Sequence, residues 1–133
     1  MPKTLPKQVL VVEDQENIAI AIAHVLTRGG HAARLAATGA AAQDAIALLC
    51  PDLVLLDVML PDMCGFDLCA DLRRNPALAG MPVLMMTARG DPADAATARA
   101  VGANGLILKP FDLATLRSDV DRLLRAGTLA IRA

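Results

Sequence analysis

Aromatic residues are almost missing from this chain, which has 2 Phe and no Trp or Tyr among its 133 residues. That removes the stacking platforms on which single-stranded nucleic acid is usually held. Neither sign of charge is in surplus: 13 Lys plus Arg stand against 14 Asp plus Glu, for a net charge of -1. No general field draws the chain onto polyanions, so neither direct nucleic-acid binding nor membrane binding is expected. Long apolar runs are missing too, since uncharged stretches such as Leu35 to Gln43 fall well short of the ~18 residues of a membrane helix. The N-terminus lacks the apolar region of a signal peptide, and a soluble, cytoplasmic protein is expected. The three cysteines, Cys50, Cys64 and Cys69, form no CxxC pair. They read as free thiols rather than as a disulfide framework or a zinc site.

What the chain does have is material for one core. Hydrophobic residues make up 55% of it, and although 26 of these positions are Ala, enough larger side chains remain. At roughly 100 to 200 residues per domain, a single domain over residues 1–133 is expected, with its core at about 7–126, a tail at 127–133 and no output domain.

Five short apolar runs punctuate it: Gln8 to Val12, His31 to Ala36, Leu53 to Leu56, Val83 to Met86, and Leu106 to Leu108. Continuous runs of this length, rich in Val, Leu and Ile, suit strands buried on both faces. The second, mostly Ala, is the weakest and is read as an outer strand. Segments of helical period lie between the runs. Ile18, Ile22, Val25 and Leu26 stop at Gly29-Gly30, and Thr38 opens a segment carrying Ala41, Ala45, Leu48 and Leu49. Leu68 and Leu72 mark a third that halts at Asn75-Pro76. Asp91-Pro92 opens a fourth as a cap followed by proline in the first turn, closing at Gly102. The fifth runs from Asp112 through Leu116, Val120 and Leu123 to Gly127. Alternation of strand and helix predicts an α/β fold: a doubly wound, five-stranded parallel sheet with helices on both faces.

In such sheets ligands bind beyond the carboxyl ends of the strands. The residues there are Glu13 and Asp14 after the first run, Asp57 after the third, Thr87 after the fourth and Lys109 after the fifth. Each alone has an ordinary reading: Glu13 and Asp14 as helix caps, Asp57 as a turn residue, Thr87 as a cap, Lys109 as a solvated charge. Together they bring three carboxylates, a hydroxyl and an ammonium to one rim. Clustered carboxylates repel unless a cation neutralises them. With no His or Cys at the rim, an oxygen-liganded ion such as Mg²⁺ is favoured over zinc or copper. A carboxylate can take a phosphoryl group as nucleophile, while Lys and Thr supply a charge and a donor for the phosphoryl oxygens. The set can hold an aspartyl phosphate.

Four segments carry a resemblance to a known family: Val9 to Asp14, the stretch Pro51 to Phe66 around Asp57, the pair Thr87-Ala88, and Gly102 to Phe111. As an ordered set they resemble the receiver domain of two-component response regulators over nearly the whole chain, single-domain chemotaxis regulators included. The resemblance implies a flavodoxin-like strand order 2-1-3-4-5. It implies transfer of a phosphoryl group from a histidine kinase or histidine phosphotransfer protein to Asp57, with Mg²⁺ as cofactor, followed by altered binding of a downstream protein target. No reaction beyond its own phosphorylation and dephosphorylation is expected. By the same resemblance the metal ligands are Asp14, Asp57, the backbone carbonyl of Met59 and, through water, Glu13. Thr87 and Lys109 contact the phosphoryl oxygens, Met59 and Arg89 flank the approach of attacking water, and the Lys109-Pro110 bond is cis.

Two positions depart from the family pattern. Leu106 replaces the usual Tyr or Phe, and Gly105 stands where an acidic residue is frequent. Pro61 and Gly65 are read as structural, Pro fixing φ and Gly permitting φ > 0. Two other functions fit the fold. A flavin module would need a hydroxyl- and glycine-rich loop after the first strand, and Glu13-Asp14-Gln15-Glu16 would repel its phosphate. A phosphorylation-independent adaptor would be expected to have lost an acidic ligand, the acceptor or the lysine, and none is missing.

Overall fold

The computed structural model describes residues 6–126. Its strands are β1 (Gln8–Val12), β2 (Ala32–Ala36), β3 (Leu53–Asp57), β4 (Val83–Thr87) and β5 (Gly105–Leu108). Helices α1 (Glu16–Arg28), α2 (Gly39–Leu48), α3 (Gly65–Arg74), α4 (Pro92–Ala100) and α5 (Leu113–Ala126) alternate with them. All strand pairs are parallel and the order is β2-β1-β3-β4-β5, as the sequence implied. The direction of winding reverses between β1 and β3, so the carboxyl ends of those two strands flank the crevice.

The pleat sorts the apolar runs onto two faces. Leu10, Val12, Val54, Leu56, Val83 and Met85 pack in one core cluster with residues of α2, α3 and α4. Val9, Val11, Leu53, Leu55, Leu84 and Met86 pack in the other with residues of α1 and α5. Period-2 alternation produces this split, and burial of each Leu contributes about 1.5–3 kcal/mol. β3 and β4 are buried at every position, whereas β2 and β5 are edge strands and partly open.

The element ends follow the expected signals. Gly30 closes the exit from α1 at φ 91°. Thr38 caps α2 by accepting from the Ala41 amide at 3.0 Å, and Asp91 caps α4 by accepting from Ala93 at 2.9 Å ahead of Pro92. Asp112 accepts from Ala114 at 3.0 Å at the start of α5. The expected end of α5 at Gly127 and the tail at 127–133 lie outside the described residues.

Several details differ from the sequence reading, among them β4 running through Thr87 and β5 beginning at Gly105. His31 does not join β2, because its amide bonds Leu26 O and its ring nitrogen Nε2 meets Asp121 Oδ1 at 2.8 Å, holding it to α1 and α5. β3 runs one residue further, through Asp57, since the ladder to β4 continues with Val58 N bonding Met86 O. A short 3-10 turn, Pro76–Leu78, follows α3, its first amide accepted by the Asn75 side chain. Gly65 is not among the glycines with positive φ. It is required instead by close approach, because a Cβ there would collide with the carbonyl oxygen of Asp57.

Candidate functional site

Residues Glu13, Asp57 and Lys109 continue the alternation of the α1/α5 face: 9 and 11 on β1 and 13 just past its end; 53, 55 and 57 on β3; 107 on β5 and 109 just past its end. The pleat therefore delivers their side chains to the same side of the crevice. Lys109 Nζ bonds Asp57 Oδ2 at 2.9 Å and also Glu13 Oε1. The opposite oxygen of Asp57, Oδ1, accepts the Met59 amide at 3.1 Å, so two donors from different segments fix the carboxylate plane. Glu13 Oε2 accepts the Gln15 amide at 3.1 Å just ahead of α1. This bond is to the residue that precedes the helix, so Glu13 does not cap α1, whose N-cap is Gln15.

One carboxylate oxygen from each of Glu13, Asp14 and Asp57 lies within 4.8 Å of the others. Glu13 and Asp57 are buried, while Asp14 is exposed at the mouth of an open cleft of about 970 Å³ whose wall also includes Met59, Thr87 and Lys109. Three carboxylates against one ammonium leave the ionised cluster at minus two (−3 + 1). The electrostatics carry that imbalance. Burial pushes the Glu13 carboxyl above its ordinary value; Lys109 and the Gln15 amide oppose this, and the Asp57 charge adds to the rise. Burial pulls the Lys109 ammonium down, but its bonds to Glu13 and Asp57 and their charges prevail, and its pKa lies above that of an ordinary lysine. The donors are oxygens only, and their count and surplus charge suit a small hard cation such as Mg²⁺.

Thr87 lies on the same rim but in the other pleat phase, after Val83 and Met85. Its hydroxyl donates to Asp94 Oδ2 on α4 at 2.7 Å and accepts the Arg89 amide at 3.3 Å. Asp94 and its ion pair with Arg89 went unnoticed in the sequence, where an acidic residue in the first turn of a helix reads as a dipole partner. The signal that would have found it is the burial period of α4, in which Asp94 shares a face with Ala95 and Ala98. Asp62 was also missed. It accepts the Gly39 and Ala40 amides at 2.8 and 3.0 Å, tying the loop after β3 to the start of α2, and these bonds hold its carboxyl below the usual range. The Lys109-Pro110 bond is cis. Met59 is 69% exposed, and Arg89 reaches from the cleft wall to Asp94.

A flavodoxin-like sheet with an acidic crevice at its switch point and a lysine facing the central carboxylate defines a class of carboxylate-lined, cation-type sites. The comparisons resolve that class to a family. Residues 9–121 match the model of the response regulator receiver domain, and the chain belongs to that family. It is 35% identical to the phosphate regulon transcriptional regulatory protein PhoB of Rhizobium meliloti over 91% of this chain and 53% of that protein. Among solved structures it is similar to the chemotaxis response regulator CheY4 of Vibrio cholerae, at 30% identity and a TM-score of 0.84, covering 89% of this chain and 98% of that one. It is equally similar to a signal receiver domain of a histidine kinase from Syntrophus aciditrophicus, at 33% identity and a TM-score of 0.83, covering 96% and 98%. The chain spans about half the length of the curated relatives it matches. Among the described residues no helix is long and apolar enough to cross a membrane.

Proposed function

We propose that this receiver domain accepts a phosphoryl group on Asp57 from the phosphohistidine of a histidine kinase or phosphotransfer protein, in the cytoplasm, and thereby changes its affinity for a downstream protein. The observation that carries the reading is the cluster of Glu13, Asp14 and Asp57, in which Lys109, bonded to Glu13 and Asp57, is the one cationic partner among the described residues. Asp14, Asp57 and the Met59 carbonyl would hold Mg²⁺, with Glu13 behind them through water. When bound, the ion would neutralise the surplus and draw charge from the phosphoryl oxygens.

The chain's own residues do the rest. Lys109 and the Met59 amide hold the Asp57 carboxylate in one orientation, so the nucleophile needs no reorganisation at the moment of attack. As an Asp57 oxygen bonds to phosphorus, the P–N bond of the donor breaks and its electron pair stays on the imidazole nitrogen. Lys109 then offers its ammonium to the oxygens on which charge spreads, and Thr87 offers a hydroxyl donor. No other reaction is assigned to the domain beyond its own phosphorylation and the return hydrolysis.

Intact-mass measurement after incubation with Mg²⁺ and a small phosphodonor tests this. One added phosphoryl group is expected, and none when Mg²⁺ is chelated before the donor is added. An unmodified mass would contradict the reading and favour a phosphorylation-independent adaptor.

A further inference from the structure

The corner where β4 meets α4 contains a closed set of polar contacts that ties up the very hydroxyl, Thr87, that a phosphoryl group on Asp57 would claim. Asp94 is 4% exposed, and both of its oxygens are engaged: Oδ2 by the Thr87 hydroxyl at 2.7 Å and Oδ1 by Arg89 Nη2 at 2.7 Å. The Arg89 amide, in turn, donates to Thr87 Oγ1 at 3.3 Å. A hydroxyl has a single donor hydrogen, and here it is committed to a carboxylate, the stronger kind of acceptor. Thr87 cannot give that hydrogen to a phosphoryl oxygen without first leaving Asp94.

We propose that Asp94 is a positioning residue that competes with the phosphoryl group for the Thr87 hydroxyl, and so sets how strongly modification at Asp57 is coupled to the rest of the domain. The inference rests on the phosphoacceptor reading of Asp57. When Thr87 departs, Asp94 keeps Arg89, whose side chain is 57% exposed and free to follow it, so the buried charge is never left alone. Arg89 also carries the event into the loop, because the amide that Thr87 releases belongs to the segment Ala88 to Asp91. Gly90 sits in that segment at φ 63°, and a Cβ there would press on Leu108, a half-exposed side chain of β5. The competition therefore ends at the surface formed by α4 and β5. One hydrogen bond to a charged acceptor is equivalent to roughly tenfold to a hundredfold in an equilibrium constant. That is the handicap Asp94 places on the phosphorylated state.

A residue that only caps α4 would alter stability without regard to Thr87, and a mutant cycle separates the two roles. Beryllofluoride, a phosphoryl mimic, is titrated calorimetrically in the presence of Mg²⁺ into the wild-type chain, Asp94→Ala, Asp94→Asn, Thr87→Ala and both double variants. Asp94→Ala should bind the mimic at least about tenfold more tightly than wild type. Asp94→Asn, which keeps an oxygen acceptor without the charge, should fall between them. In the Thr87→Ala background neither Asp94 substitution should change the affinity. A weaker affinity for Asp94→Ala, or the same shift with and without the Thr87 hydroxyl, overturns the inference alone. Should Asp94→Ala fail to fold, the Asn pair carries the same comparison. Wild-type protein that does not bind the mimic, or binds it no better than Asp57→Asn, overturns the phosphoacceptor reading and this inference with it.

Discussion

Two corners of the same rim, a few residues apart in the strands, are built on opposite electrical principles. Around β1, β3 and β5 the carboxylates of Glu13 and Asp57 share one ammonium, Lys109, with the carboxylate of Asp14 beside them. Between β4 and α4 the single carboxylate of Asp94 is matched by the guanidinium of Arg89 and saturated by the hydroxyl of Thr87. A surplus of like charge held this close is strained until a ligand compensates it, so the first corner is a place where something binds. A balanced and saturated network is at rest until a competitor draws one member away, so the second is a place where something changes. The pleat separates them: Asp57 and Thr87 end neighbouring strands in opposite phases. Binding and response occupy one rim without sharing side chains at rest.

The sharpest way to break this division is to remove the acceptor. Asp57→Asn should abolish phosphoryl uptake from a small phosphodonor, since of the two described carboxylates bonded to Lys109, Glu13 and Asp57, it is Asp57 that lines the open cleft. Intact mass and peptide mapping check it; uptake at the wild-type rate would move the acceptor elsewhere.

Next in size is the loss of metal. Asp14 is exposed and bonds no cation among the described residues, whereas Glu13 is buried and bonded to Lys109 and the Gln15 amide. Asp14→Ala should therefore lose more Mg²⁺ affinity than Glu13→Ala, for which a loss on the order of tenfold is expected of an outer partner. Calorimetric titration distinguishes them, and equal losses would erase the assigned split. Mg²⁺ at about 100 times its Kd should also stabilise the wild-type fold by about 2.7 kcal/mol, and at that same concentration stabilise Asp14→Ala much less.

The acidic corner was legible in the sequence because it needs only strand ends: Glu13, Asp57 and Lys109 each follow an apolar run, and parallel strands bring such ends together. The strand order was implied by the resemblance, and the helix limits by caps such as Thr38 and Asp91. The responsive corner was legible only in part: Thr87 and Arg89 were named, but the Asp94 that joins them was not. Grouping Thr87 with the other rim residues ignored the pleat, which could have been counted from Val83, Met85 and Thr87 against Leu53, Leu55 and Asp57. Asp94 was hidden by its place three residues after a capping Asp91, where surface acids are common. The role of Gly65 depends on an approach of β3 to α3 that no local pattern announces, so a close contact was read as a φ requirement.

Smaller effects sharpen the responsive side. Leu106 is partly buried, pairs with Met85 and packs against the core, and it has no hydroxyl to exchange partners. Leu106→Ala should therefore change the affinity of the phosphorylated protein for its partner less than Thr87→Ala does, and direct binding of both variants would show the order. The smallest effect belongs to Asp62, whose carboxyl the Gly39 and Ala40 amides hold below its ordinary value. A depressed carboxyl stabilises the fold above its unfolded pKa, and that contribution is lost as pH falls through the folded one. The deficit in thermal stability of Asp62→Ala should thus be present at neutral pH and shrink toward strongly acidic pH; a deficit that grows on acidification would reverse the assignment.

Comparing backbone and methyl resonances of the Mg²⁺-loaded protein with and without beryllofluoride tests the division between binding and response most directly. Beyond the acceptor itself, the largest displacement should fall on Ala88 to Asp91 and on the side chain of Thr87 as it leaves Asp94, with Leu106 keeping its rotamer. A rotamer change at Leu106 beside an unmoved Ala88 to Asp91 segment would contradict it.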